Sequence, residues 1–374
     1  MFRWIVLSLA LIVLCVLALL RVLIDRGNHG FSSTPLESLK NDGFPMGHDM
    51  RNDRILEQIA YTPSKLKHQP VIIFTPKDVV SVRTGTYEFT SSRCKVQNCI
   101  LSSSDSHRLT ADVVFFSPTS SFSMHYHRPP HQLWVMQLLE SPENTMNLSD
   151  FNERVNYTAS YRYDSDLVTP YGKWIRNDRS FKGAKSTEGI KSKDVLWLVS
   201  HCITNNARMR YANELSRYIQ VDIYGDCGEK KITKTEGIRL LREDYRFYLS
   251  FENSNCAQYV TEKFFDNALK YGAIPIVMGA SVGFYESIAP PHSFIHVDQF
   301  DTPKDLAKYL HYLSQNADAY NEYFAWRRVG DFMDTKLWCR LCSLAQEPKK
   351  KVYTNIEQWW HSPNQCTRRR QGFS

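Results

Sequence analysis

Several short clusters in this 374-residue sequence place carboxylates beside amides or cations at spacings that suit work on a phosphorylated, hydroxyl-rich substrate. Glu252, Asn253 and Ser254 follow the apolar run from Phe247 to Phe251, and Glu262 stands beside Lys263 a little further on. A carboxylate such as Glu252 or Glu262 accepts hydrogen bonds from sugar or ribose hydroxyls, while Lys263 balances phosphate charge. The same residues also read as a helix cap and a solvated helix face, because acids are common at helix starts. Glu140, ahead of Ser141 and Pro142, closes the apolar run from Gln132 to Leu139. A carboxylate at the carboxyl end of a buried strand faces a crevice, and partial desolvation raises its proton affinity toward that of a general base. The alternative is a loop acid bonded to Ser141. Arg208, in the opening turn of a helix that follows a strand ending near Ser200, suits a diphosphate; Arg210 reads equally as a surface partner of Glu214.

These groups need a scaffold, and the periodicity supplies one. Phe247 to Phe251 predicts a strand, Tyr259 to Leu269 a helix and Ile274 to Met278 a second strand, with Gly272 at a helix C-cap. That β-α-β unit puts the polar connection at the carboxyl ends of the strands, where open α/β sheets bind ligands. Val195 to Ser200, a helix over 205–219 and Val221 to Tyr224 extend the same pattern. Upstream, Pro70 to Pro76, Ala111 to Phe116 and Gln132 to Leu139 read as strands of a separate α/β half. Downstream, helices are expected over 303–316 and 319–332, around a strand at Ser293 to Val297. Between the halves, Arg162, Asp164 and Asp166 lie among tyrosines, a mixture suited to a carbohydrate surface. The two aspartates also look like a metal-binding pair, although no further hard ligands stand nearby.

Three of these stretches, FENSNCAQYVTEKFFDNAL, the Glu140-Ser-Pro motif and YRYDSDLVTPYG, resemble the signatures of the alpha-1,3-fucosyltransferases. The closing IEQWWHSPNQC, the Cys94 to Cys99 stretch and QVDIYGDCG are similar to members that act on the N-glycan core. The resemblance implies two Rossmann-like domains of the glycosyltransferase-B type and inverting transfer of L-fucose from GDP-fucose to the 3-hydroxyl of an N-acetylglucosamine. The acceptor implied is the N-glycan core of a glycoprotein, with an outer Lewis-type or LacdiNAc position, or a lapsed glycan-binding protein, as alternatives. It assigns Glu140 as the base and Arg208 and Lys263 to the diphosphate. Ser200, Glu252, Asn253, Tyr259 and Glu262 fall to the donor, and Arg162, Asp164 and Asp166 to acceptor or sugar contacts. His201 departs from the family, which usually has Asn there. No built-in cofactor or metal is implied, since cations replace a metal at the diphosphate; Mn2+ is expected only as a stimulant.

Composition sets the compartment. The chain is 43% hydrophobic and 23% charged, which is globular, and its net charge of +7 suits a nucleotide more than it demands nucleic acid, which is not an expected partner. The basic runs from Lys349 to Lys351 and Arg368 to Arg370 read as solvated tails. Trp4 to Leu20 is uncharged and nearly all apolar, and with Val22 to Ile24 is long enough to span a bilayer. A cleaved signal peptide is the rival reading. Eight cysteines follow (Cys94, Cys99, Cys202, Cys227, Cys256, Cys339, Cys342 and Cys366), an even number that fits disulfides in an oxidising lumen, with the pairing open. Asn147 and Asn156 head glycosylation triplets. The expected organisation is a cytosolic tail (1–3), a signal anchor (4–24), a stem (25–69), an acceptor-side domain (70–188), a GDP-fucose domain (189–345) and a tail (346–374), in a type II Golgi membrane protein with a luminal body.

Overall fold

The computed structural model describes residues 43–47, 52–79, 82–120, 128–177, 191–228 and 230–367. The expected anchor and Arg368 to Arg370 lie outside these residues, and no described helix is long and apolar enough to cross a membrane. Two parallel sheets dominate. The first has β1 (Val71–Phe74), β2 (Cys99–Ser102), β3 (Val113–Phe116), β4 (Leu133–Leu138), β5 (Tyr157–Ser160) and β6 (Leu167–Val168), in the order β2-β1-β3-β4-β5-β6. A short antiparallel pair joins β7 (Trp174–Arg176) to β13 (Gly330–Phe332). The second sheet contains β8 (Lys193–Leu198), β9 (Val221–Tyr224), β10 (Tyr245–Phe251), β11 (Ile274–Met278) and β12 (Ile295–His296), in the order β12-β11-β10-β8-β9.

Both sheets are covered on two faces, so their central strands are apolar in both side-chain directions. In β3, Val113 and Phe115 enter one core while Val114 and Phe116 enter the other, the two-residue period of a strand. In β10, Phe247, Leu249 and Phe251 pack beneath the helices Arg208–Leu215 and Pro303–Gln315, and Tyr248 faces the helix Lys234–Glu243. The expected β-α-β unit is present with β11 as read. Gly272 takes the left-handed conformation, φ 77°, that a helix C-cap requires.

Three expectations change. The helix over 259–269 begins only at Lys263, as a π-helical turn to Ala268, because Thr261 is held by Glu252 and Tyr259 is drawn to Glu140. The helix over 319–332 breaks after Glu322. Residues 325–328 form a tight turn, and Gly330–Phe332 becomes β13, where a side chain at Gly330 would strike the Trp174 ring. The helix Leu337–Gln346, which closes the 189–345 span and runs one residue past it, packs on the first sheet with Val71, Val113 and Leu167.

All eight body cysteines pair: Cys94–Cys339, Cys99–Cys342, Cys202–Cys227 and Cys256–Cys366. The first two staple the helix Leu337–Gln346 to the β2 side of the first sheet, which accounts for the close Cys339 and Cys342 spacing without zinc. The tail is not a solvated appendage: Ile356 and Trp360 are fully buried against the other face of that sheet, and Lys351 pairs with buried Asp166.

Candidate active site

Six parallel strands present their carboxyl ends on one edge of the first sheet, and Glu140 emerges there two residues beyond β4. On the second sheet, Glu252 to Ser254 leave the carboxyl end of β10. The two turns are stitched together. Ser141 Oγ lies 2.9 Å from Ser254 Oγ, and Asn144 Nδ2 donates to both hydroxyls, at 3.0 and 2.9 Å. Residues separated by more than a hundred positions thus form a single polar seam.

Within the seam, Glu140 Oε1 accepts three hydrogen bonds: from its neighbour Ser141 N at 2.7 Å, Tyr259 Oη at 2.8 Å and Asn253 Nδ2 at 3.1 Å. Oε2 accepts none among the described residues, and the side chain is open to the crevice. Burial by itself would raise the carboxyl's pKa, but the Ser141 amide, the Tyr259 and Asn253 donors and the nearby Lys263 charge outweigh it and leave it below the ordinary glutamate value. The expected upward shift is therefore reversed, because one oxygen sits in a nest of donors. Glu140 is an anchored anion with one oxygen free to take a proton. Two tyrosines of the YRYDSD-PYG stretch clamp its backbone: Tyr171 Oη donates to Leu139 O at 2.9 Å, and Tyr161 Oη to Glu140 O at 3.3 Å.

Glu252 is fully buried. Its Oε1 accepts from Thr261 N at 2.8 Å, and Lys263 Nζ lies 3.2 Å from Oε2 and 3.3 Å from Glu262 Oε1. Burial pushes the Glu252 carboxyl up, and Lys263 and Thr261 pull it back only in part. For Lys263, burial works against the charge, but the two carboxylates prevail and raise its pKa, so the cation is secure. Thr261 is the hub that sequence reading missed: its hydroxyl accepts from Lys263 Nζ at 2.9 Å and donates to Glu252. Its place one residue before the Glu262-Lys263 pair was the available signal. Gly279 completes the wall, since a Cβ there would stand 2.9 Å from Glu252 Cγ.

Arg208 reaches the same strand end. Its guanidinium donates to Phe251 O at 2.8 Å and to His201 O at 2.7 Å, with Nε buried and unpartnered among the described residues. It braces the turn after β8 against the end of β10 and adds buried positive charge behind the crevice. Ser200 is exposed on that turn. Cys202–Cys227 closes it.

Other expected contacts face inward. Arg162 is buried, makes a two-point pair with Asp164, donates to Trp359 O at 3.0 Å and stacks over the Trp359 ring at 4.5 Å. Asp166, also buried, accepts from Thr158 N and Tyr353 Oη at 3.0 Å each and pairs with Lys351. These side chains tie β5 and the tail to the seam instead of presenting carboxylates to a sugar. Asn147 is exposed, but Asn156 is buried and fully engaged: it accepts from Trp134 N at 2.9 Å and donates to Lys351 O at 2.7 Å. A glycan on Asn156 is incompatible with this fold. Among the described residues no group of three or more His, Cys, Asp or Glu side chains is placed to hold a metal.

A crevice with an anchored carboxylate on one wall and the half-buried Lys263 and buried Arg208 cations on the other is equipped to deprotonate a hydroxyl while balancing a departing anion. Comparisons with known proteins bear on the identity of that anion. Residues 189–359 match the model of glycosyltransferase family 10 (fucosyltransferase), C-terminal part, and residues 67–172 match the N-terminal fucosyltransferase model. The chain is 38% identical over 345 residues to glycoprotein 3-alpha-L-fucosyltransferase A of Drosophila melanogaster, covering 86% of this chain and 67% of that protein. It is 39% identical over 239 residues to 3-galactosyl-N-acetylglucosaminide 4-alpha-L-fucosyltransferase of Bos taurus, covering 62% of this chain and 64% of that one. The chain thus spans about two thirds of the length of these relatives. A crystal structure of an alpha1,3-fucosyltransferase with GDP-fucose superposes with a TM-score of 0.50 at 17% identity, over 80% of this chain and 98% of that one. A second alpha1,3-fucosyltransferase crystal structure gives 0.52 at 16% identity over 79% and 95%.

Proposed function

The chain belongs to glycosyltransferase family 10, the fucosyltransferases, and we propose that it moves L-fucose from GDP-fucose to the 3-hydroxyl of an N-acetylglucosamine in the N-glycan core of glycoproteins. The observation that carries this reading is the pairing of Glu140, fixed through one oxygen and free at the other, with the Lys263 and Arg208 cations on the opposite wall. In the reaction the free Glu140 oxygen takes the proton of the acceptor hydroxyl. The acceptor oxygen bonds to fucose C1 as the bond from C1 to the diphosphate oxygen breaks, inverting the centre and giving the electron pair to GDP. Lys263 and Arg208 favour the step because the charge on that oxygen grows toward the transition state. Glu262, 44% exposed beside Lys263, is the carboxylate available to sugar or ribose hydroxyls.

The core acceptor is supported by the extent of likeness to the fly protein, whose name specifies glycoprotein, over 86% of the chain. The likeness to the bovine protein, named for a galactosyl-N-acetylglucosaminide, supports the outer position as the second reading. We place the body in the Golgi lumen behind the 4–24 anchor. The support is the apolar N-terminal run and the four disulfides, which belong to an oxidising compartment. Within the body, 70–188 forms the acceptor half, completed by the helix Leu337–Gln346 and the tail, and the second sheet forms the donor half. The test is fucose transfer by the full chain to a core N-glycopeptide and to a terminal lactosamine glycan. Transfer to the glycopeptide is expected; transfer to lactosamine alone would overturn the acceptor and leave the chemistry.

A further inference from the structure

A second polar cavity opens on the crevice edge that carries Glu140. It measures about 500 Å3, and its lining includes Pro76 and Lys77 beyond the end of β1 and Ser104, Asp105, Ser106 and Arg108 beyond the end of β2. Because β1, β3 and β4 are adjacent and parallel, β1 lies two strand spacings from β4. With Phe74 in register with Val114, and Val114 with Trp134, Glu140 stands further along the strand axis than Lys77. At strand spacings of about 5 Å and a rise of about 3.3 Å per residue, the cavity lies on the order of 15 Å from Glu140. That exceeds one sugar ring and is within reach of a branched oligosaccharide.

The lining is chemically matched. Lys77 and Asp105 are both exposed, and neither makes a side-chain hydrogen bond or ion pair with a described residue. They offer a pure donor and a pure acceptor on the same cavity, with serine hydroxyls that do both. The turn is braced from beneath: Ser102 Oγ bonds His107 Nδ1 at 2.7 Å and accepts from Ser104 N at 3.2 Å. Vicinal ring hydroxyls, each a donor and an acceptor, fit this set.

We propose that this cavity is an acceptor subsite that holds a hydroxyl-rich pyranose of the substrate glycan remote from the reacting sugar. The inference rests on the transfer reaction proposed above. It makes the chain a reader of glycan branches as well as of the sugar it modifies.

The test compares Lys77→Ala and Asp105→Ala with wild type in the full chain, using GDP-fucose and two acceptors. One is a branched mannose-bearing core glycopeptide; the other is the same peptide trimmed to its two innermost N-acetylglucosamines. A lost hydrogen bond to a charged group corresponds to about a tenfold effect. The variants are expected to raise KM for the branched acceptor about tenfold, with KM for the trimmed acceptor, KM for GDP-fucose and kcat unchanged. Equal losses on both acceptors, or none on the branched one, would overturn the subsite alone. Wild type inactive on both acceptors would overturn the proposed function, and the subsite with it.

Discussion

The Tyr259 hydroxyl donates to Glu140 Oε1 at 2.8 Å, joining the connection after β10 to the turn after β4 across 119 positions of sequence. Tyr259 is buried, so the bond is shielded from water, and Asn253 reinforces it on the same oxygen. The family resemblance implies donor contacts for both residues. In the structure they position the base, holding its charge and turning its second oxygen outward.

Tyr259→Phe removes one of the donors that keep the Glu140 carboxyl low. The carboxyl then binds its proton more tightly, and the acid limb of the kcat/KM profile, where the base becomes protonated, moves to higher pH. Loss of a hydrogen bond to a charged group, about 1.5–3 kcal/mol, predicts a fall in kcat at neutral pH of roughly tenfold or more. KM for GDP-fucose is expected to stay put. A rise in that KM with an unmoved pH profile would return Tyr259 to the donor site.

Lys263→Met strands a carboxylate. Glu252 is already raised above its unfolded value, so its contribution to stability is complete below about pH 4 and is lost as pH rises through the folded value. Without Lys263 the folded value climbs further. The variant's deficit relative to wild type is therefore small in acid and grows toward neutrality, reaching about 3 kcal/mol there. Denaturant midpoints measured across that range check the sign; a deficit independent of pH would contradict it.

The two disulfides to the helix Leu337–Gln346 interlace, with sequence separations of 245 and 243. While either stands, the other closes only a small extra loop. Chain entropy then predicts that replacing the Cys94–Cys339 pair or the Cys99–Cys342 pair by serines costs about 2 kcal/mol, and that replacing both costs more than twice as much. Chemical denaturation of the three variants measures this directly. Simple additivity would show that the long loop is held closed by packing alone.

Much of this scaffold was legible because its strands are apolar runs punctuated by glycine, as with β10, β11 and Gly272. β5 was not legible as a strand: Tyr157 to Ser160 is half polar, and it is buried because Asp166 satisfies Thr158 and Ser160 pairs with Ser165. The inward turn of Arg162 could not be read either, since its partners, the Trp359 and Trp360 carbonyls, lie almost two hundred positions away. Residue types marked Glu140 as special. Its proton affinity was misjudged because burial is visible in an apolar run, whereas donors arriving from Asn253 and Tyr259 are a property of the folded seam.

The most direct test of the account is Glu140→Gln, assayed for fucose transfer together with the thermal shift produced by GDP-fucose. Glutamine keeps an oxygen for Ser141 N, Asn253 and Tyr259, so the seam survives while the proton acceptor is lost. The account predicts a fall in kcat of about 10²- to 10⁴-fold with the GDP-fucose shift intact. A variant that retains most of its kcat, with donor binding unchanged, would contradict the assignment of Glu140 as the base.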